Sequence, residues 1–190
     1  MTKRPPPKWL QKKLDNRFGA IPWMELFVML PEGGVEVAFP NIESCETRFA
    51  AVRWPEGVRC LSCGGKNIGH IENRALYQCR ECRRQFSATA ETDAHRSRLD
   101  LRMWFLAAEE IITAHAEETE YSRLVTQDMA DRYSISYSAT HRLKTALIKS
   151  LSQPGGGLIG ACICMRALPV SRDPAMSPEE WYWVLWVAMQ

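Results

Sequence analysis

Apolar side chains fall at helical spacing in three stretches of this chain and alternate at strand spacing in a fourth. Ile42, Cys45, Phe49 and Val52 follow Asn41, which predicts a helix capped by Asn41 with Cys45 on its core face. Leu101, Trp104, Phe105, Ala108, Ile111, Ile112 and His115 form a longer stripe behind Asp100, a good N-cap, while Arg102, Glu109 and Glu110 occupy the opposite face. His115 reads as a helix-end residue. Between these two helices Leu76, Gln78 and Arg80 alternate with Ala75, Tyr77 and Cys79, as in a short strand.

The third helical stretch runs from Thr126 to Leu143 and breaks at Ser134-Ile135-Ser136. It fits a helix-turn-helix: small Ala130 allows close packing, Ser136 caps the second helix, and Met129, Tyr133, Ile135, Thr140 and Leu143 face inwards. Ser134 stands where such turns often carry glycine. Tyr137, Ser138, His141 and Arg142 are left on the outside of the second helix, near the end that would enter a DNA major groove. The competing reading is a pair of amphipathic helices in a bundle that binds nothing.

Both ends of the chain pattern poorly. The opening Thr2-Lys3-Arg4-Pro5-Pro6-Pro7-Lys8 reads as a basic, flexible arm and not as a signal peptide. Ile21 to Leu30 is apolar, but about ten residues interrupted by Pro22 and Glu25 are too few to span a bilayer. No membrane partner and a cytoplasmic setting are expected. After Gln153-Pro154-Gly155-Gly156-Gly157 no periodicity persists through Ala167, and Cys162-x-Cys164 reads as two free thiols. Ser177-Pro178-Glu179-Glu180 is a helix start, and Trp181 to Met189 behind it is apolar on every side. Such a helix must pack, bind a partner, or belong to a tail never selected for folding.

Chemistry enters with four cysteines. Cys60-x2-Cys63 and Cys79-x2-Cys82 are separated by the fifteen residues Gly64 to Gln78. That spacing is the zinc-ribbon pattern, with two thiolate knuckles closing one tetrahedral, structural Zn2+ site. Disulfides fit less well, since a CxxC bridge closes too short a loop to stabilise much. Gly64-Gly65 suits a knuckle that needs positive φ and close backbone approach. His70, between the pairs, reads as a loop residue because the sulfurs already complete four-coordination. A ribbon of this size buries little surface, so the metal should supply much of its folding free energy.

Net charge is only +2 over 190 residues, yet Arg74 to Arg84 holds four Arg and one Glu. Arg80, Arg83 and Arg84 around the second knuckle, with Arg98 beyond it, are candidate phosphate contacts. The predicted fold class is therefore a small α+β chain: a zinc ribbon of short strands on a four-cysteine zinc site, an α-helical helix-turn-helix region, and an irregular or short helical tail. The expected organisation is an arm and linker over 1–38, a lead-in helix and turn over 39–57, the ribbon over 58–90, the helical region over 96–152, and a divergent tail over 153–190.

Three segments together carry a family resemblance: Arg53-Trp54-Pro55-Glu56-Gly57-Val58-Arg59-Cys60, then Tyr77-Gln78-Cys79-Arg80-Glu81-Cys82-Arg83-Arg84-Gln85-Phe86, then His95-Arg96-Ser97-Arg98-Leu99 with Trp104-Phe105-Leu106-Ala107. They are similar to the N-terminal region of insertion-sequence transposases, in which a zinc ribbon and helix-turn-helix precede a DDE-type catalytic domain of ribonuclease-H-like fold. The resemblance covers about 39–151. It implies zinc on Cys60, Cys63, Cys79 and Cys82, and a recognition helix over Tyr137 to Arg142 that grips the element's terminal repeats.

Two departures stand out. Glu91, Asp93 and Ala94 replace the glycine and apolar residues usual in the family. More seriously, Leu158 to Cys164, where the first catalytic Asp is expected, holds no carboxylate, and only Asp173, Glu179 and Glu180 follow residue 150. About 40 residues cannot build a domain that takes on the order of 100. The catalytic domain is therefore expected to be missing here, and a shifted reading frame near residue 155 would account for the Trp-rich tail. The leading expectation is a DNA-binding portion of a transposase with no catalytic residues of its own. Its partners would be double-stranded DNA and either itself or a full-length transposase. The alternatives are a transposase active on assembly with a separate catalytic part, and a zinc-ribbon module for protein interaction or transcriptional regulation.

Overall fold

The structure, a computed structural model, describes residues 19–71, 74–117 and 124–190. The basic arm at Thr2 to Lys8 lies outside the described residues. From Ile21 onwards the stretch expected as linker contributes two helices, α1 (Ile21–Val28) and α2 (Gly34–Ala38). Pro22 suits the first turn of α1, where its missing N–H costs no bond. Met24, Leu26 and Val28 are buried, so this segment is core.

α3 (Ile42–Arg53) starts as predicted, with Asn41 Oδ1 accepting the Ser44 N–H at 2.8 Å. Cys45 and Phe49 are fully buried along its inner face. The sheet that follows is a three-stranded antiparallel meander, β1 (Ile68–Ile71), β2 (Leu76–Cys79) and β3 (Gln85–Ser87), in the order β1-β2-β3. Tyr77 on the middle strand pairs with His70 on one side and Phe86 on the other. His70 is therefore a strand residue and not a loop residue; its imidazole lies 5.1 Å from the Tyr77 ring, which gives it a packing role. Spacing alone misplaced it because β1 carries no clear alternation.

α4 (Leu101–Ala116) is the central helix. Asp100 accepts the Met103 N–H at 2.8 Å, and Phe105, Ala107, Ala108, Ile111 and Ile112 are fully buried. A helix buried on more than one face needs neighbours all round, and α1, α2, α3, α6 (Tyr137–Leu151) and α7 (Gly157–Ile163) all pack against it. α5 (Thr126–Tyr133) lies against α6. At the far end of α4, His115 donates from Nδ1 to the Ile111 carbonyl and stacks on Trp23 at 4.3 Å.

α7 sits where no periodicity is legible. A short 3-10 turn over Pro154–Gly156 feeds it, and Ile159, Cys162 and Ile163 enter the same core as Phe49, Phe105 and Leu147. Its sequence, Gly157 to Ile163, has no polar face, so its pattern could not separate helix from strand or coil. Arg48 of α3 reaches across to the end of α7, donating from Nε to the Cys162 carbonyl (3.0 Å) and from Nη2 to the Ala161 carbonyl (3.1 Å). Cationic donors at a helix C-terminus satisfy orphan carbonyls and oppose the negative dipole end.

The last helix, α8 (Pro178–Ala188), has the predicted capping box between Ser177 and Glu180. It packs on α1 through Trp181 and Leu185, both fully buried, and the Trp181 indole donates to Glu25 at 2.6 Å. Trp186 and Val187 point outwards. The tail thus folds against α1. No helix among the described residues is long and apolar enough to cross a membrane.

Candidate metal centre and nucleic-acid interface

The two cysteine pairs occupy matching turns. In the first, Gly64 N–H bonds the Cys60 carbonyl and Cys60 N–H bonds the Gly65 carbonyl. In the second, Arg83 N–H bonds the Cys79 carbonyl and Cys79 N–H bonds the Arg84 carbonyl. Each turn needs one left-handed residue, and these are Gly64 at φ 72° and Arg83 at φ 65°. Glycine takes that conformation freely; arginine is strained there by about 1–2 kcal/mol. At Gly65 a Cβ would meet only the Glu81 carboxylate, the end of an exposed side chain.

The turns bring all four Sγ atoms within 4.8 Å of one another. Between the pairs, Cys60 approaches Cys82 at 3.4 Å and Cys63 approaches Cys79 at 3.6 Å. Tetrahedral Zn–S bonds of about 2.3 Å place sulfurs about 3.8 Å apart. The four thiols therefore fit one structural zinc ion, and their soft donor set suits zinc over hard cations. Backbone N–H groups face three of the sulfurs: Cys63 and Ser62 at Cys60, Gly65 at Cys63, and Arg84 at Cys82. The Cys63 N–H foremost, with that of Ser62, holds the Cys60 thiol down at about 6. At Cys63 and Cys82 the pull of the Gly65 and Arg84 N–H groups is outweighed by neighbouring sulfurs, which push both thiols up. Cys60 is therefore the favoured thiolate of the metal-free cluster, and zinc must displace protons from those two. Cys60 and Cys79 are buried, Cys63 and Cys82 exposed. Among the described residues these four are the one group of three or more His, Cys, Asp or Glu side chains placed to hold a metal.

The ribbon has a small core of its own in Cys60, Cys79, Phe86 and Ala90. Trp54 and Tyr77 pack against both this cluster and the helical core. Trp54 meets Tyr77 edge-on at 5.7 Å and Phe86 at 6.1 Å. Arg53 lies over the Trp54 ring at 4.5 Å and donates to the Ala88 carbonyl at 2.5 Å. Burial lowers the Arg53 pKa, and Glu91 partly offsets this. The ribbon is thus fastened to α3, a joint that cysteine spacing gave no sign of.

The residues predicted to meet DNA are all exposed. Tyr137, Ser138, His141 and Arg142 lie on the first turns of α6, with the Tyr137 and His141 rings stacked at 6.4 Å. Ser136 Oγ caps the helix by accepting the Ala139 N–H, and Thr140, Leu143 and Leu147 bury the other side. α5 is held by Met129 in the core and by the Tyr133 hydroxyl, which donates to Glu110 at 2.8 Å. Burial and then that carboxylate push the Tyr133 hydroxyl well above the usual tyrosine range. Ser134 takes the left-handed position of the turn at φ 52°.

The exposed arginines sort by partner. Arg84 pairs with Glu91 at 2.9 Å, which offsets its charge. Among the described residues Arg80, Arg83, Arg98 and Arg142 pair with no carboxylate, and neither does Arg96, which the site prediction passed over. Its signal was the Arg-x-Arg spacing with Arg98 in a polar segment.

Residues 40–85 match the family model described as a transposase zinc-ribbon domain. The chain is also 28% identical over 117 residues to an uncharacterized protein in transposable element ISH50 of Halobacterium salinarum. That alignment covers 59% of this chain and 36% of the relative, so the chain spans about a third of the relative's length. No solved structure matches.

Proposed function

We propose that this chain is the part of an insertion-sequence transposase that binds double-stranded DNA at the element's terminal repeats; the transposase zinc-ribbon match over residues 40–85 and the transposable-element relative support the reading. One observation carries the reading. On α6, Tyr137, Ser138, His141 and Arg142 face solvent together on the turns that follow a tight Ser134–Ser136 corner, while Leu143 and Leu147 join the core shared with Met129 of α5 and with α4. A helix presented by its N-terminal turns in this way suits a major groove, with His141 and Arg142 reaching base edges. Arg80, Arg83 and Arg98, free of carboxylate partners among the described residues, and Arg84 beside Glu91, supply contacts to phosphates. Zinc here holds the ribbon's shape and does no chemistry. Strand cleavage would come from a separate catalytic part, on a full-length transposase or another polypeptide.

The test is a titration of the zinc-loaded chain with labelled duplexes from the element's ends and with scrambled duplexes of equal composition, over a salt series. Tighter binding to an end duplex, weakening steeply with salt, is expected. His141→Ala should reduce the preference for the end duplex. Equal binding to both duplexes removes the sequence-reading role, and no binding to either leaves a protein-interaction module.

A further inference from the structure

The segment that leaves the ribbon and the helix assigned to the groove share a cleft. Asp93 to Leu99 forms one wall and the first turns of α6 form the other, enclosing about 780 Å3 that opens to solvent. Three arginines line it, Arg96, Arg98 and Arg142, together with His95 and against one acidic residue, Asp93. Most other described arginines are spoken for: Arg48 and Arg53 by carbonyls, Arg59, Arg84, Arg102 and Arg132 by carboxylates.

The wall is built and not merely loose chain. Ala94 is buried, the Trp104 indole donates to Ser97 Oγ at 3.2 Å, and the Leu99 N–H donates to the same oxygen at 3.0 Å. These contacts fix the segment from inside and turn the flanking arginines outwards. Arg96 is held at φ 58°, a left-handed conformation in which glycine would be the less strained residue. An exposed arginine at such a place gives up stability while pairing with no carboxylate among the described residues, which points to a contact outside the protein.

We infer that this cleft holds the sugar-phosphate strand bordering the major groove that α6 enters, with Arg96 and Arg98 as its clamp; this rests on the duplex-binding reading above. Charge selects a polyanion, and the open side suits a chain running through more than a small anion enclosed. Position selects the strand, because a phosphate backbone flanks the N-terminal end of any helix lying in a major groove. Arg142 forms the wall shared by cleft and reading face. The ribbon and α6 would then grip one continuous length of duplex, and the joining segment would read charge and no sequence.

The experiment uses the full zinc-loaded chain and a fluorescein-labelled mixed-sequence duplex of about 20 bp, long enough to carry several phosphate contacts, with anisotropy measured from low to moderate salt. Arg96→Gly relieves the strained φ, and Arg98→Gln removes an exposed charge while keeping a polar side chain, so the double variant should melt no lower than the parent. The expected result is a slope of log K against log salt smaller by about 1.8, at about 0.9 per phosphate, and equally so on an end duplex and its scramble. An unchanged slope in a folded double variant overturns the clamp, while the duplex-binding reading stands if His141→Ala still lowers end preference. A loss confined to the end duplex also overturns it, since the cleft would then read bases. If the parent chain shows no salt-dependent duplex binding, both fail.

Discussion

Ile163→Ala tests the placement of α7, the segment least legible from its pattern. Ile163 and Cys162 are fully buried and Ile159 nearly so, in one cluster with Phe49, Phe105 and Leu147. The substitution removes roughly three methylene equivalents, or about 2.4 kcal/mol of transfer free energy at about 0.8 each. Neighbours from α3, α4 and α6 cannot all collapse into the gap, so a cavity contribution adds and the total should be about 2–5 kcal/mol. That is a large part of the roughly 5–15 kcal/mol that typically holds a domain together. The assay is urea unfolding of the zinc-loaded protein followed by far-ultraviolet circular dichroism, with Val187→Ala, 71% exposed, as the control. The control should stay within about 0.5 kcal/mol of the parent. The thermal midpoint of Ile163→Ala should fall by roughly 4–20 °C. A loss under about 1 kcal/mol, close to the control, would refute α7 as core. By the same physics a truncation at residue 152 should cripple the helical unit, whereas one beyond residue 166 spares this packing.

Three further outcomes are expected. Cys79→Ser, or a strong chelator, should abolish stoichiometric zinc and expose the strand amides to hydrogen exchange while α4 stays protected; persistent protection of β2 without metal would show that the ribbon does not depend on it. Arg83→Gly should raise the stability of the second knuckle by about 1 kcal/mol, since it relieves a left-handed arginine, yet lower the salt slope of DNA binding by about 0.9; a drop in ribbon melting temperature would contradict it. Burial pushes the Cys162 thiol from its ordinary 9.0 up to about 12. Above about pH 9 the unfolded chain sheds a proton that the folded chain keeps, so stability intact below that pH should fall as pH rises towards about 12, by up to about 1.4 kcal/mol per pH unit for this thiol. Urea midpoints of parent and Cys162→Ala between about pH 8 and 10.5, a range that brackets the unfolded thiol's titration, check this, and parallel curves would reject it.

The fold and the site were unequally legible, for physical reasons. Asn41, Asp100, Ser136 and Ser177 all accept the N–H three residues on, because capping is local and needs only the right oxygen before an apolar run. The four cysteines placed to hold one zinc ion were equally plain, since tetrahedral thiolate sites restrict spacing within each knuckle. Ile42 counted towards the apolar face but is 45% exposed, because it sits at the first helical position before the face is established. α1 and α7 were missed. Their residues are apolar in nearly every direction, which erases the contrast that periodicity measures. The cleft was invisible because its walls are far apart in the chain, with the whole of α4 and α5 between them.

Trp181 donates to Glu25 across 156 positions, the Arg166 N–H bonds the Met29 carbonyl, and Arg48 caps a helix more than a hundred residues downstream. These long closures set a timetable for synthesis. At about 5–20 residues per second, a ribosome needs roughly 8–30 s to travel from residue 25 to residue 181. Through that interval Met24, Leu26 and Val35 have been made but lack their final cover. The ribbon, whose strand pairings are all local, can take up zinc long before. The nascent protein would then carry a finished metal centre on an unfinished body, and the face of α6 would acquire its fixed support only after α7 has emerged.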